Sequence, residues 1–391
     1  MQDHNALRLL MMTELFLPTK GGTAVSFDDD FRRLGGKEVH ILTANVPGAA
    51  QFDIDHPNSI HRLVLKRHEW LKPESLSIYC KLFFCSLWLT VTRRVTAIFA
   101  GRALPEGLVA LVVARLTRRP VFIYAHGEEL TGWGRGRKFQ AMCFTMRNAD
   151  AILSNSDNTR ETLKEVLGVE PGHIEVIYPT VDEGRFRPGL PTDDLRSALG
   201  LAGGEKKLIL SVGRLMRRKG FDAVIRSLPA LLRQGLDVEY ALIGIGEDLD
   251  YLQDLAREFG VEQRVHFLGH VSYEELPRWY NACDLFAMPN RDIDGDTEGF
   301  GLVFLEVAAS GKAAVAGKAG GTGSAIVDGV TGLRVDGDQL DEVTVALTRL
   351  LTDPGETVTM GRAARDRVLD NFTHDRRVNQ LRNVVLKGRS R

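Results

Sequence analysis

The chain has 391 residues, 44% of them hydrophobic and 26% charged, with a formal net charge of -1 at neutral pH. This length and apolar content suffice for two ordinary hydrophobic cores and predict an enzyme of two domains, and the balanced charge gives no reason to expect a nucleic-acid partner. The cysteines have neither C-x-x-C nor zinc-site spacing, which predicts reduced core residues rather than a zinc module. They are Cys80, Cys85, Cys143 and Cys283.

The first predicted strand is the apolar run at residues 7–12, and a glycine pair, Gly21 and Gly22, follows it. Two adjacent glycines before a helix allow the backbone to approach a ligand closely. Lys20 adds positive charge beside them. The apolar run is short and lacks the charged start and the small-residue cleavage site of a secretion signal, so we expect a cytoplasmic protein.

A basic stretch follows, with eleven Lys or Arg against three acids from Arg62 to Arg119. Its segment 75–94 combines aromatic, apolar and cationic residues. Two interpretations are open: a segment that lies on an anionic membrane surface, peripheral on the inner face, or a helix packed on the sheet with basic ends. Lys81 interrupts the segment, which is barely long enough to span a bilayer, so we do not expect a transmembrane helix.

Apolar runs alternate with helical patterns along the whole chain, which predicts parallel sheets. Further predicted strands of the first half are 38–43, 97–100, 122–125, 151–154 and 174–178, with helices that include 105–116 and 158–167. Prolines and glycines from Pro179 to Pro191 mark a linker. The predicted strands after it are 208–212, 238–243, 265–268, 285–288 and 313–316, and a last helix spans 374–386.

Two motifs place polar side chains after predicted strands, where ligands bind in doubly wound sheets. His126 follows the strand 122–125, although a histidine there is also a common loop hydrogen-bonder. Glu128 and Glu129 follow this histidine, and whether either of them contacts a ligand stays open. After the strand 208–212 come Arg214 and Lys219, a pattern typical of a phosphate clamp: Arg grips two oxygens as a fork and Lys acts as a point charge. The alternative is a merely basic start of a helix.

Two further segments resemble known motifs only in part. Gly244-Ile-Gly246 begins like a dinucleotide fingerprint but has Leu249 at the third glycine, so we interpret it as the strand-end turn of a nucleotide-binding half. Asp292-Ile-Asp294-Gly-Asp296 begins like a calcium loop and also contains a D-x-D, but its glycine stands fourth instead of sixth. We interpret it as an acidic surface loop.

Glu298 and Glu306 flank a glycine turn and an apolar run, and they are the most informative pair in the chain. A helix that begins at Leu302 carries Glu306 about one turn inside and turns the free N–H groups of Gly301, Leu302 and Val303 outward, which attracts phosphate. Eight helical residues rise roughly 12 Å, beyond the roughly 5–9.5 Å between the two carboxyl groups of a sugar hydrolase. One extended ligand with hydroxyls at both ends and phosphates between them, a sugar nucleotide, fits better.

On these motifs the chain resembles the retaining glycosyltransferases of the GT-B fold, usually called family 4, over essentially its whole length. The resemblance implies two facing Rossmann-like domains with a cleft between them: an acceptor-side domain of residues 1–185 and a nucleotide-sugar domain of residues 186–372. It also implies that the last helix, about 373–391, crosses back onto the first domain, and that domain closure joins sugar and acceptor and excludes water.

The resemblance assigns roles to the site residues. Glu298 contacts the donor sugar, Glu306 binds the ribose, and Arg214 and Lys219 hold the diphosphate. The donor-binding stretch is Phe300, Gly301, Leu302 and Val303. Gly21 and Gly22 border the donor phosphates, His126 supports the reacting face of the sugar, and backbone groups near Val271 recognise the base. The family has a Gly-Gly-x-x-Glu stretch where this chain has Ser324, which puts the role of that acid in doubt here.

The sequence therefore predicts transfer of a sugar from a UDP- or GDP-sugar to an acceptor hydroxyl. No cofactor and no metal are expected, because Arg214, Lys219 and the helix end supply positive potential. The resemblance also implies that the leaving phosphate takes the acceptor proton. From family habit, the acceptor is a saccharide or lipid-linked saccharide in polysaccharide or glycolipid assembly. Two alternatives remain open: a sugar-nucleotide epimerase of the same fold, which needs no acceptor, and an inactive nucleotide-sugar-binding protein, which Ser324 favours.

Overall fold

A computed structural model describes residues 7–19, 21–65, 76–127, 135–203 and 206–389, so Lys20, Glu128 and Glu129 lie outside the described residues. The chain divides into two compact units: Met1–Pro179 with His374–Arg391, and Thr180–Thr373. The segment predicted as the end of the first domain thus belongs to the second unit. Its Val181 N–H donates to the Phe372 carbonyl at 3.1 Å, and the ring of Phe186, which directly follows the segment, has its centroid 5.9 Å from that of Tyr280.

The first unit contains a parallel seven-stranded sheet with the strand order β3-β2-β1-β4-β5-β6-β7. Its strands are β1 (Leu9–Met12), β2 (Val39–Ala44), β3 (Ser59–Leu63), β4 (Ala97–Ala100), β5 (Val121–Ala125), β6 (Ala151–Ser154) and β7 (Ile174–Val176). The chain starts in the middle of the sheet and builds outward in both directions. The order therefore reverses between β1 and β4, which is the place where open α/β sheets bind ligands.

Helices cover both faces of this sheet. They are α1 (Gly22–Gly35), α2 (Ala49–Ile54), α3 (Leu76–Thr92), α4 (Leu108–Thr117), α5 (Arg137–Arg147), α6 (Asp157–Leu167) and α15 (His374–Arg389). One core lies between the sheet and α3, α4 and α5, and the other contains side chains of α1 and α15. Both faces are buried, which explains the nearly continuous apolar runs of the central strands.

The second unit repeats this plan with a parallel six-stranded sheet in the order β10-β9-β8-β11-β12-β13. Its strands are β8 (Lys207–Val212), β9 (Val238–Ile243), β10 (Val265–Gly269), β11 (Leu285–Met288), β12 (Ala314–Gly317) and β13 (Leu333–Val335). The helices are α7 (Asp193–Ala198), α8 (Phe221–Arg233), α9 (Leu249–Glu258), α10 (Leu276–Ala282), α11 (Leu302–Ala309), α12 (Thr322–Ala325), α13 (Leu340–Thr352) and α14 (Pro354–Asn371). Here the order reverses between β8 and β11.

Three details of the structure differ from the sequence predictions. The edge strands β3 and β13 were not predicted. The helix predicted from residue 105 begins as α4 at Leu108, after a turn of π-helix at Ala103–Gly107. All four cysteines are free, but Cys80 is exposed on α3, so the prediction that each is a core residue is wrong for Cys80.

Helix α3 buries Ile78, Leu82 and Leu89, which confirms the interpretation of the basic segment as a helix packed on the sheet. No helix among the described residues combines the length and apolar character needed to cross a membrane. Phe84, Trp88 and Val91 nevertheless remain exposed on the outer side of α3.

Candidate active site

The reversal point of the second sheet brings Lys219 and Glu298 together. Lys219 lies in the loop after β8 and Glu298 in the loop after β11, and these strands are neighbours. Gly220 has a φ of 74°, and a Cβ there would lie 2.0 Å from the Pro289 carbonyl oxygen. Only glycine allows this approach of the two loops, so it is one local reason why the two side chains meet.

Glu298 is the acceptor of a small ion-pair cluster. Its Oε2 contacts the Lys219 ammonium and, at 3.0 Å, the Arg218 guanidinium. The Glu298 side chain is 13% exposed and that of Lys219 12%. Burial would raise the pKa of Glu298, but Lys219 and Arg218 act in the opposite direction and leave its pKa below the ordinary value. Glu298 is therefore a carboxylate at neutral pH, fixed in place and surrounded by positive charge.

The loop after β12 supports Glu298 from its backbone side. The Gly321 N–H donates to the Glu298 carbonyl at 2.7 Å. Gly320 has a φ of 69°, and a Cβ there would lie 2.2 Å from the same oxygen. Three neighbouring strand ends thus fix one carboxylate, and a larger residue at position 320 would displace it.

Ser324, which stands where the family has a glutamate, follows this loop in α12. Its side chain is buried, its N–H donates to Gly321, and its carbonyl accepts from Arg367 at 2.9 Å. Ser324 is thus buried and hydrogen-bonded through its backbone, and it contributes no charge to the cluster around Glu298.

Helix α11 begins after Gly301, as predicted. Gly301 has a φ of 84°, and a Cβ there would lie 2.6 Å from the Phe304 ring, so both conformation and space require glycine. No side chain among the described residues caps the helix. The first N–H groups of an α-helix, here those of Leu302 and Val303, have no partner within it. This amino end is therefore suited to an anion.

Glu306 lies one turn inside α11, and its Oε2 accepts a hydrogen bond from the Tyr280 hydroxyl at 2.6 Å. Burial raises the pKa of Glu306 to about 6, and the Tyr280 bond opposes part of this rise. Its other oxygen, Oε1, has no hydrogen-bond partner in the part of the chain that the structure describes. The carboxylate is thus oriented by one oxygen while the other remains available.

The remaining predicted residues of this unit differ in their surroundings. The Arg214 side chain is exposed and has no partner among the described residues. Val271 lies two residues beyond β10, at the same edge of the sheet. The Phe300 ring is buried, with its centroid 6.0 Å from that of Phe372, so only its backbone is available to a ligand.

In the first unit, Gly21 and Gly22 follow β1, a strand at the reversal point, and His126 follows β5, the strand next to β4. The His126 Nε2 lies 2.8 Å from the Gly101 carbonyl, which only accepts, so this nitrogen carries the proton and donates. The ring stacks on Tyr124, with an interplanar angle of 12°. Gly21, with a φ of 141°, precedes α1, and Gly22 is its first residue; both are exposed.

Two residues of this arrangement were missed by the sequence reasoning. Arg218 was not singled out in the basic run, yet it contacts Glu298 and also Asp296 at 3.2 Å. Tyr280, far from the motifs in sequence, holds Glu306.

Asp292, Asp294 and Asp296 form a tight turn in which the Asp292 carboxylate accepts from the Gly295 N–H at 2.7 Å. Among the described residues, no group of three or more His, Cys, Asp or Glu side chains is placed to hold a metal ion.

Comparison with known proteins agrees with this geometry. The family model described as Glycosyltransferase Family 4 matches residues 21–185, and that described as Glycosyl transferases group 1 matches residues 195–367. A GDP-mannose-dependent alpha-(1-6)-phosphatidylinositol monomannoside mannosyltransferase from Mycolicibacterium smegmatis is 32% identical over 372 residues, which cover 93% of this chain and 94% of the relative. A D-inositol 3-phosphate glycosyltransferase from Kribbella flavida is 34% identical over 226 residues, 55% of this chain and 51% of the relative.

Among solved structures, that of HepE from Anabaena in complex with UDP matches with a TM-score of 0.81 and 20% identity, over 97% of this chain and all of that one. This likeness shows the fold. Two Rossmann-like units with a cationic, carboxylate-bearing strand edge define a GT-B transferase of nucleotide-activated sugars. The chain belongs to the group 1 glycosyl transferases, family 4. It is a retaining glycosyltransferase that moves a sugar from a nucleoside diphosphate sugar to an acceptor hydroxyl. Membership of this family disfavours the two alternatives, an epimerase and an inactive binding protein.

Proposed function

We propose that this chain transfers mannose from GDP-mannose to the saccharide head group of an inositol-containing glycolipid. The cluster of Lys219, Arg218 and Glu298 beside the amino end of α11 carries the proposal, because it joins positive potential for a diphosphate to a fixed carboxylate for a sugar. The relatives from two mycobacterial species named as GDP-mannose-dependent mannosyltransferases align with nearly the whole chain and support the choice of donor and acceptor.

Each residue of the second unit then has one role. Lys219, Arg214 and the N–H groups of α11 hold the diphosphate, and Glu298 accepts hydrogen bonds from the sugar. Glu306 accepts from the ribose hydroxyls. As the bond between the anomeric carbon and the diphosphate oxygen breaks, negative charge collects on the diphosphate, and fixed cations stabilise that state more than the ground state.

The first unit contributes groups for the reacting sugar. His126 supports the reacting face of the sugar, and Gly21 and Gly22 allow close approach of the backbone. The acceptor oxygen forms its bond to the anomeric carbon on the face that the diphosphate leaves, and its proton passes to the departing phosphate oxygen. We assign no side chain as general base. Transfer proceeds without a metal ion, because the positive potential comes from Lys219, Arg218 and Arg214.

The test is turnover with a donor panel in the presence of a chelator. We would incubate the full chain with UDP-, GDP- and ADP-sugars, with and without phosphatidylinositol mannoside acceptor, and measure nucleoside diphosphate release. Release from GDP-mannose that depends on acceptor supports the proposal. Release from a different donor corrects the sugar nucleotide and leaves the transferase intact. Loss of turnover that magnesium restores would contradict the metal-independent mechanism.

The raised pKa of Glu306 predicts that donor affinity depends on pH. Ribose hydroxyls donate to the carboxylate, so binding needs the ionised form, which is lost as pH falls through about 6. We expect GDP affinity to fall about tenfold per pH unit below that value. Calorimetry between pH 5 and 7 measures it.

Two variants separate the role of Glu306 from general acid effects. Glu306→Gln should bind GDP more weakly but with little change across this pH range. Tyr280→Phe removes the hydrogen bond that lowers the Glu306 pKa, so the midpoint should move to higher pH. Equal affinity at pH 5 and pH 7 in the unaltered protein would show that Glu306 does not bind the ribose.

We further propose that α3 and α4 dock on an anionic membrane. Their outer faces expose Phe84, Trp88 and Val91 on α3 with Val112 and Leu116 on α4. Exposed arginines follow the two helices: Arg93, Arg94, Arg118 and Arg119. Apolar side chains bordered by cations are typical of surfaces that insert shallowly into anionic bilayers. Such docking would place the enzyme near a lipid acceptor.

For this surface we expect Trp88→Ser to weaken vesicle binding roughly tenfold or more, because the membrane buries a large apolar side chain. Co-sedimentation with phosphatidylcholine vesicles, with and without phosphatidylglycerol, measures it. Val91 and Val345 give a matched pair, since their side chains are 62% and 66% exposed and Val345 lies in the second unit. If Val345→Ser is as harmful as Val91→Ser, the α3 face is not the docking surface.

A further inference from the structure

The first unit has a second polar site at the edge of its sheet opposite to His126. A cavity of about 410 Å³ opens there, beside the amino ends of β1, β2 and β3. This volume falls in the roughly 300–1,000 Å³ range of small-molecule sites. Four side chains of permanent positive charge line it: Arg8, Lys37, Arg93 and Arg94.

The topology collects these cations from distant parts of the chain. Arg8 directly precedes β1, Lys37 lies just before β2, and Arg93 and Arg94 lie between α3 and β4. Because the strands are parallel, their amino ends share one edge. Arg94 has a φ of 52°, a left-handed conformation that is uncommon for a residue other than glycine. The charges therefore converge through the fold and not through a basic run in the sequence.

None of the four cations forms an ion pair within the described residues. The Lys37 ammonium donates only to the carbonyls of His56 at 2.8 Å and Asn58 at 3.4 Å, and the Arg8 Nε donates to the Arg94 carbonyl at 3.0 Å. Glu38 is the one acid among the described residues that line the cavity, and it pairs with none of the four cations. Elsewhere in the two units many Lys and Arg side chains pair with carboxylates, including exposed ones such as Arg349 with Glu356. Clustered unpaired cations create a positive potential that attracts an anionic ligand.

A histidine pair completes the wall of the cavity. His40 on β2 and His61 on β3 face the same side of the sheet as Leu42, at positions where the strand pattern otherwise places core residues. The His40 Nδ1 and His61 Nε2 lie 3.1 Å apart, so one ring donates to the other. Burial lowers the pKa of His61 to about 4, with further lowering by His40 and Arg93, and burial with Arg93 also lowers that of His40. Both rings are thus neutral hydrogen-bonding groups in a positive field.

We propose that this cavity binds the phosphate group of an anionic ligand. Arginine forks and a lysine point charge, arranged around a space with neutral imidazole donors, match the several oxygens and the charge of a phosphate better than a single carboxylate does. The site lies at the amino edge of the sheet, whereas His126 and Gly21 follow the carboxyl ends of strands. It is therefore separate from the residues proposed for sugar transfer.

Two sources of phosphate share this chemistry. The Arg93 guanidinium lies 5.9 Å from the centroid of the Trp88 ring, which belongs to the proposed membrane face, so a lipid head group can reach the cavity edge. A soluble phosphorylated metabolite is the other source. Only the lipid source depends on the proposed membrane docking.

The test compares Arg94→Asn with Arg118→Asn in the full chain. Both arginines are exposed, follow a helix and have left-handed backbone, with φ of 52° and 55°, so asparagine perturbs both backbones alike. The soluble probes are pyrophosphate and glycerol 3-phosphate, and the membrane probe is a phosphatidylcholine vesicle that contains phosphatidic acid. Calorimetry, vesicle co-sedimentation and the ring-nitrogen NMR signals of His40 and His61 are the readouts.

With the soluble probes we expect Arg94→Asn to weaken binding about tenfold, the size of one lost charge-assisted hydrogen bond, and Arg118→Asn to change it less than twofold. With vesicles, Arg118→Asn should lose about fivefold because Arg118 borders the proposed membrane face, and Arg94→Asn should lose about tenfold more than Arg118→Asn. Bound phosphate should also raise the pKa of His61, because an anion offsets Arg93. Binding of soluble probes with this selectivity indicates a metabolite site; the same selectivity with vesicles alone indicates a lipid head group. Equal loss in both variants, or no binding of any probe, overturns the proposal. Nucleoside diphosphate release from the same preparation reports separately on the transferase.

Discussion

Replacing Lys219 with methionine is expected to lower kcat/KM for the sugar nucleotide by about 10²- to 10³-fold, the usual cost of losing one fixed group that stabilises charge in a transition state. Lys219 is only 12% exposed and lies against Glu298, so its ammonium is held in place before the diphosphate departs. Methionine keeps most of the length and apolar stem of lysine and removes the charge. The loss should appear mainly in kcat, because the leaving group gains its charge only as the bond breaks.

Arg217→Met is the matched control for this prediction. Arg217 belongs to the same basic loop, but it pairs with Asp248 and has 47% of its side chain exposed. Its removal should change kcat/KM less than threefold. Thermal unfolding of both variants would separate loss of function from loss of structure. A folded Lys219→Met protein with nearly normal turnover would refute the assignment of Lys219 to the diphosphate.

Because Lys219 contacts Glu298, combining variants of the two residues can show whether they act together or independently. Glu298→Gln should also reduce turnover by two or more orders of magnitude, because it removes the charged acceptor for the sugar and leaves Lys219 and Arg218 partly buried without their carboxylate. The combined variant should lose much less than the product of the two single losses, since residues in contact are coupled. Strictly multiplicative losses would indicate that the two groups act independently.

The second large effect concerns stability. Replacing Arg377 with methionine is expected to destabilise the first unit by about 3–5 kcal/mol, because it leaves the buried Asp30 without its counter-ion. The Arg377 Nε lies 2.6 Å from the Asp30 carboxylate, and the two side chains are 6% and 1% exposed. Arg377 also donates to the carbonyls of Ile177 and Tyr178, so it joins α15 to α1 and to the segment after β7.

Urea unfolding measures this loss, read from the transition of the first unit because a chain of two units need not unfold in one step. Arg382→Met is the control on the same helix: Arg382 is exposed, and its one hydrogen bond within the described residues, to the Arg33 carbonyl, is long at 3.5 Å. A loss below about 1 kcal/mol in Arg377→Met would show that the pair contributes little.

The stability that the Arg377–Asp30 pair contributes should depend on pH. Burial raises the pKa of Asp30 in the folded protein, although Arg377 opposes this effect. Without Arg377 the Asp30 pKa should rise further, and a carboxyl whose folded pKa is raised contributes most to stability at low pH and less as pH rises through that pKa. The deficit of Arg377→Met should therefore be smaller in mild acid than at neutral pH.

Much of the fold was predictable because buried parallel strands are continuous apolar runs. Strands such as β4 and β11 coincide with the predicted ranges 97–100 and 285–288. The missed strands are at sheet edges: β3 is only partly buried throughout, and β13 has three residues. Edge strands pair on one side only, so their sequences show little of the pattern on which the prediction depends.

The residues of the candidate site also fall into two groups: those predicted from local motifs and those that only the fold brings to the site. Glu298, Lys219 and Gly301 were predicted because each belongs to a local pattern of strand, glycine turn and helix. Arg218 was not singled out, because one arginine in a basic run is indistinguishable from its neighbours until the fold places it against Glu298. Tyr280 had no motif at all, because it reaches Glu306 from another helix.

The sequence by itself determined two alternating α/β halves, the glycine turns after their strands and the class of ligand that a cationic strand end and two spaced glutamates can hold. These properties depend on neighbours within about ten residues, where periodicity, glycine conformation and side-chain charge act directly. Only the tertiary structure decided which cations face a carboxylate and which are left unpaired. That choice separates Lys219, held on Glu298, from Arg8, Lys37, Arg93 and Arg94, which converge on one cavity because parallel strands bring their amino ends to the same edge.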